Sequence, residues 1–305
     1  MRFAPQLNAV PGKLSIAQVL SSVNRGLQRA VTEWNHAITN EDEPEYNYGL
    51  IVCAMRFFLP SFSPYFQAFT ELHEHENPHR LYGLASMALV TAAYKAKIEL
   101  KLPIVALDIA GAEAGYPASD HLEAFAYAHK KFMHTTVHAG EGYGPESIYQ
   151  AVTDLHAERI GHGYHVLHDH EIQVDMAAED RQAYVTNLAQ YLGNTRICME
   201  VCISSNLQTI PGIEHDATRH PIVKMLENKL AVTLCTDNCT VSHTNMLKEV
   251  TLACNAFDLT ARQLKDIMIT GFKHAFMPIP YVQKRKYNWK VINYYEKLEK
   301  EYLTN

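Results

Sequence analysis

Two histidines, a glutamate and an aspartate are distinguished by where each falls relative to a short apolar run. Thr136-Val137-His138-Ala139-Gly140-Glu141 and Arg159-Ile160-Gly161-His162-Gly163 each follow a β-branched stretch into an imidazole, and Cys235-Thr236-Asp237-Asn238 follows one into a carboxylate. Neutral imidazole and carboxylate are ordinary ligands for a divalent metal, and a carboxyl group beside such a site can act as general acid or base. Gly140 lies between His138 and Glu141, so a sharp turn can bring both side chains to one cavity. Gly161 and Gly163 strip side-chain bulk from around His162, which suits close approach by a ligand. Taken singly, a histidine at a strand end is more often a hydrogen-bonded structural residue, and an aspartate there more often forms a cap or turn. It is the joint pattern that points to a metal-dependent site.

Such groups need elements that deliver them to one place. Apolar, β-branched segments recur at Arg2–Ala4, Gly49–Met55, Ile104–Asp108, Thr135–His138, Arg159–Gly161, Arg196–Val201 and Ala231–Cys235. Helix-like segments lie between them. Ser15 to Trp34 carries Ile16, Val19, Leu20, Val23 and Leu27 near the spacing of one helical face, and Leu122–Phe132 and Ile148–Leu155 read similarly, the latter after Pro145 and Glu146. Strands alternating with helices predict parallel βαβ units. Seven strands fit an open doubly wound sheet as well as a barrel. Polar residues follow many of them, namely Asp108, His138, His162, Glu200 and Asp237. That favours a (β/α)8 TIM-type barrel, which gathers its site from many strand ends, here with seven βα units visible and the first strand missing. Further helices are predicted at Leu247–Phe257, Arg262–Phe272 and Val291–Tyr302. With no linker, repeat or low-complexity tract, residues 1–305 read as a single domain.

Composition narrows the function. The 305 residues are 47% hydrophobic and 20% charged with a formal net charge of −6, which is ordinary for a globular domain and argues against a nucleic-acid footprint. The most basic stretch, Lys284-Arg285-Lys286, reads as a solvated helix face or loop. Of the six cysteines, Cys53, Cys198 and Cys235 lie in apolar runs as small hydrophobes, Cys202 and Cys239 follow strands, and there is no CxxC pair. That pattern predicts a reducing compartment and reduced thiols. Neither a secretory leader nor a run of about 18 apolar residues is visible, so a cytoplasmic protein without membrane partners is expected.

Read together and in order, the motifs resemble the adenosine deaminase family, within the metal-dependent amidohydrolases. Met1-Arg2-Phe3-Ala4-Pro5 resembles the family's second barrel strand and Asp108-Ile109-Ala110-Gly111-Ala112-Glu113 the fourth. The His138 and His162 segments resemble the fifth and sixth, and Glu200 to Asn206 and Thr236-Asp237-Asn238 the seventh and eighth. The resemblance implies one Zn2+ per chain, with His138 and Asp237 as ligands and Asp237 also accepting a proton or hydrogen bond from the metal-bound water. It implies that His162 orients the attacking water or acts as its base, and that Glu141 donates a proton to N1 of the purine. Gly111 would contact the ring through its backbone and Asn238 would bind the purine edge near N7. The implied reaction is hydrolytic deamination of adenosine or deoxyadenosine to inosine and ammonia, by a metal-activated water that attacks C6, within purine salvage. Alternatives are an adenine or AMP deaminase, for which Arg2 and Arg56 are candidate phosphate contacts, or an inactive homologue that binds a purine nucleoside.

Two departures from the family accompany the resemblance. Its first-strand His-x-His, a source of two further zinc ligands, has no counterpart at a strand end. One His-x-His, His73-Glu74-His75, falls in a polar, helix-like stretch. The expectation is therefore an N-terminally truncated, poorly active chain. The second departure is Asn238, where many members carry aspartate. An amide can donate directly to N7, which only accepts.

Overall fold

The computed structural model describes residues 1–303. Seven strands form: β1 (Arg2–Phe3), β2 (Leu50–Met55), β3 (Ile104–Ala110), β4 (His134–Ala139), β5 (Arg159–His162), β6 (Cys198–Val201) and β7 (Ala231–Leu234). The helices are α1 (Ile16–Ala37), α2 (Pro64–Leu72), α3 (Pro78–Glu99), α4 (Leu122–Lys130), α5 (Pro145–Thr153), α6 (Ala178–Thr195), α7 (Ile203–Thr209), α8 (Ile222–Glu227), α9 (Met246–Phe257), α10 (Ala261–His274) and α11 (Tyr281–Leu303).

The strands hydrogen-bond in the order β1-β2-β3-β4-β5-β6-β7, and the pairs β1–β2, β4–β5, β5–β6 and β6–β7 are parallel. A doubly wound sheet reverses its strand order at a switch point, whereas a (β/α) barrel keeps sequence order. The unreversed order places this chain in the barrel class. Strands β2, β3, β4 and β6 are buried along nearly their whole length, as parallel strands covered by helices must be, and for that reason they read as continuous apolar runs.

The chain divides into two compact units. One comprises Met1–Asp108, Glu123–His134 and Ala275–Asn305, and the other Ile109–Leu122 and Thr135–His274. In the first, Ile51 of β2 packs with Val105 and Ala106 of β3 and with Phe276. A capping box at Ser15 and Gln18 starts α1. Its apolar stripe buries Ile16, Val19 and Leu20 only, and the outer half carries an exposed Trp34. Arg2 of β1 reaches past β2 to Asp108 of β3, Nε to Oδ2 2.6 Å. In the second unit, Arg159 of β5 pairs with Glu200 of β6. Asp108 and Glu200 are buried, and each is the partner of an arginine from another strand.

Several boundaries differ from the sequence expectation. Strand β6 begins at Cys198 because Arg196 adopts left-handed φ +56° as the C-cap of α6. Helix α11 starts at Tyr281, directly after Pro280, ten residues before the expected Val291, and Lys284-Arg285-Lys286 lies on it. The polar stretch with His73-Glu74-His75 is not helical: α2 ends at Leu72, His73 caps it, and the turn that follows carries Glu74 and His75. Neither histidine ends a strand. All six cysteines are free thiols, with Cys53, Cys198 and Cys202 buried. Among the described residues, no helix is long and apolar enough to cross a membrane.

Candidate active site

The functional residues expected from sequence fall in the second unit. His138 is the penultimate residue of β4, and register sets it beside Gly161 of β5. The missing Gly161 side chain is what admits it: a Cβ there would lie 3.1 Å from His138 Cγ and 3.2 Å from its Cα. The space that sequence reading reserved for a ligand is thus filled, at Gly161, by the neighbouring imidazole. His138 Nδ1 stands 3.1 Å from the carbonyl oxygen of Ile109, at the end of β3. A carbonyl only accepts, so Nδ1 carries a proton, and in the neutral ring Nε2 then presents a lone pair.

His162 closes β5 and is buried. Its φ of +64° is left-handed, as is the +51° of Asp237 in the loop after β7. For non-glycine residues this backbone costs about 1–3 kcal/mol and concentrates at functional sites. Asp237 Oδ1 lies 4.0 Å from His138 Nε2, too far for a hydrogen bond, and Oδ2 accepts from Ser205 Oγ at 2.9 Å. The facing His138 imidazole, together with His162 and Ser205, holds the Asp237 carboxyl well below the usual carboxylate range, against the upward push of partial burial. The carboxylate is ionised at neutral pH. Ligand atoms from His138, His162 and Asp237 all lie within 4.8 Å of one another.

Glu141 follows Gly140, whose φ of +70° makes the turn. Glu141 Oε2 lies 3.4 Å from His162 Nε2, and Oε1 accepts from Thr209 Oγ1 at 2.7 Å. Gly111 lies just past β3 with φ +114°, two residues beyond the carbonyl that holds His138. Asn238 follows Asp237, and its side-chain oxygen accepts from Val241 N–H at 3.2 Å, which leaves the amide nitrogen as its outward donor. Glu113 Oε2 accepts from Gly142 N–H at 3.1 Å, tying the loop after β3 to the loop after β4.

Sequence reading assigned no role to Thr209, Asn206 or His220. All three come from α7 and the approach to α8. Ser205, Asn206 and Thr209 lie on one short helix that begins directly after β6. The run Ser204-Ser205-Asn206 after an apolar strand was the available signal. Nothing local tells which of its polar atoms turn inward.

The family model for adenosine deaminase matches residues 80–293. The chain belongs to the adenosine deaminase family. Adenosine deaminase 1 of Streptomyces coelicolor is 33% identical over 281 residues, covering 91% of this chain and 60% of that protein. Other curated relatives, from Mycolicibacterium vanbaalenii and Escherichia coli, are covered over 46% and 55% of their length, so the chain spans about half the length of the curated relatives it matches. Among solved structures, a zinc-bound cog1816 amidohydrolase from Burkhoderia ambifaria superposes with a TM-score of 0.70 at 18% identity, over 95% of this chain and 65% of that one. An adenine deaminase from Arthrobacter aurescens does so at 0.62 and 16% identity, over 92% and 72%. At such identities the likeness establishes the barrel fold that this family member shares with them.

Proposed function

We propose that this chain carries out hydrolytic deamination of a purine nucleoside, adenosine before others, with one zinc ion. The observation that carries the reading is the convergence of His138, His162, Glu141 and Asp237, from three separate strand ends, around one point. Membership of the family and the adenosine deaminase named above as a relative support the substrate class.

The donor set fits a divalent metal with nitrogen and oxygen ligands. A histidine with a bare Nε2 and an ionised carboxylate would hold it, through His138 and Asp237. Catalytic zinc usually has three protein ligands, and this pair supplies two. When bound, the metal provides the Lewis acidity that makes water nucleophilic near neutral pH. The chain's own residues do the rest. Glu141, in its protonated form, donates to N1 of the purine and so draws electron density from C6. Thr209, donating to the other carboxyl oxygen, keeps Glu141 in one rotamer. His162 orients the attacking water, and Asp237 accepts a hydrogen bond from it. Addition of water at C6 and loss of ammonia convert adenosine to inosine. Gly111 offers its backbone to the ring, and Asn238 donates its amide N–H to N7.

A nucleotide substrate is less well supported. Arg2, one of the two arginines that sequence offered for a phosphate, is paired with Asp108, and the other, Arg56, is buried in the first unit. The deciding experiment is ammonia release by the zinc-supplemented chain with adenosine, deoxyadenosine, adenine and AMP, in parallel with metal analysis. Turnover of the nucleosides above the other two is expected. Metal uptake and nucleoside binding without ammonia would establish a non-catalytic purine binder instead.

A further inference from the structure

A line of buried hydrogen bonds runs to His162 from a backbone amide far along the chain. Ile222 N–H, at the start of α8, donates to His220 Nδ1 at 3.2 Å. His220 Nε2 lies 3.2 Å from Asn206 Oδ1, and Asn206 Nδ2 lies 3.1 Å from His162 Nδ1. His162, Asn206 and His220 are exposed by 1%, 0% and 3%.

The direction of the whole line follows from its first member. A backbone N–H can only donate, so His220 Nδ1 holds a lone pair. Burial keeps His220 neutral, its pKa pushed down to about 3 by burial first and by the nearby His162 and His168 next. The one proton of the neutral ring is therefore on Nε2 and is donated to the Asn206 amide. That fixes the oxygen end of the amide at His220 and its NH₂ end at His162. His162 Nδ1 must accept, and its own proton must sit on Nε2, the nitrogen that faces Glu141. Turning the amide around fails. His220 would then have to accept at both nitrogens, which only an imidazolate can do.

We infer that Asn206 and His220 are positioning residues that fix His162 as the Nε2–H tautomer, so that His162 serves the site as a hydrogen-bond donor and not as a base or a third metal ligand. His138, whose ring centroid lies 5.3 Å from that of His162, is held in the opposite tautomer by the Ile109 carbonyl. One imidazole presents a lone pair for a cation, and the other presents an N–H for a nucleophilic oxygen. Proton acceptance is left to the carboxylate of Asp237. The tautomer stands on hydrogen bonding alone, whereas its catalytic use rests on the deaminase reading above.

The test is long-range 1H–15N correlation spectroscopy of the zinc-loaded chain labelled with 15N-histidine, with His162 identified by its loss in His162→Gln. The expected spectrum has a protonated Nε2 and a bare Nδ1 at both His162 and His220. Asn206→Asp keeps an acceptor for His220 but replaces the donor facing His162 with a second acceptor. It is expected to move the His162 proton to Nδ1 and to lower kcat by about 100-fold or more with KM changed less than about threefold, as loss of the correct histidine tautomer does elsewhere. A protonated Nδ1 at His162 in the unaltered chain would overturn the inference, even if Asn206→Asp did not fold. So would an Asn206→Asp spectrum that keeps Nε2–H. The expected spectra without ammonia release from any purine would uphold the relay and remove the deaminase reading.

Discussion

Glu141 is the residue on which chemistry and structure separate most cleanly. Its carboxyl group touches Thr209 and His162, while the ligands proposed for the metal are His138 and Asp237. Glu141→Gln is expected to lower ammonia release by at least about 100-fold, the scale of a lost general acid, with zinc content by elemental analysis unchanged. Equal loss of zinc would make Glu141 a ligand or a support for one. His138, His162, Glu141 and Asp237 were legible as individual residues because each follows an apolar strand. Asp108 and Glu200 satisfy the same rule without having been among the candidate site residues. Each is matched instead to an arginine on another strand, and which strands become neighbours is not written in the local pattern.

At the level of elements, the site depends on how closely β4 and β5 approach. Gly161 permits that approach by leaving space for the His138 ring, and the atoms that an added methyl would meet include backbone. Gly161→Ala is therefore expected to displace His138 and weaken zinc binding by about tenfold or more, on the scale of disturbed metal-ligand supports. A competition titration with a chelator measures it, and unaltered affinity would show that the strands can separate at no cost. The Arg159–Glu200 pair lies inside the sheet between β5 and β6. Glu200→Ala removes the carboxylate paired with the partly buried Arg159 guanidinium and is expected to cost about 3 kcal/mol in unfolding free energy, read from denaturant midpoints. Helix α7 shows the limit of element-level reading. Its seven residues are too few to display periodicity, yet it carries Ser205, Asn206 and Thr209 to the site.

For the molecule as a whole, three histidines set a pH dependence of stability. Burial holds His165 and His168 down to about 4 and His220 down to about 3, from an ordinary value of 6.5, with neighbouring imidazoles adding to the effect. In the unfolded chain each takes up a proton as pH falls through 6.5. In the folded chain none does until about 4. Between those values the unfolded state binds more protons, so stability is full above 6.5 and declines as pH falls toward 4. Denaturant midpoints measured from pH 7.5 to 4.5 are expected to decrease steadily below 6.5, and a flat profile would show that these rings are protonated in the folded state. His165 and His168, with their Nδ1 atoms 3.0 Å apart, were not singled out in the sequence because nothing in their spacing reveals burial.

By itself the sequence determined the alternation of strands and helices, the barrel class and the residues that end the strands, because side-chain periodicity and chain order are local properties. It also carried enough of the motif order to reveal the family. Only the tertiary structure decided which strand carboxylates neutralise arginines, which glycine makes room for which imidazole, and which nitrogen of His138 and His162 carries the proton. A tautomer is set by the single donor or acceptor that meets each ring nitrogen. Here those partners, the Ile109 carbonyl and the amide line from Ile222, are brought into contact only when distant segments pack together.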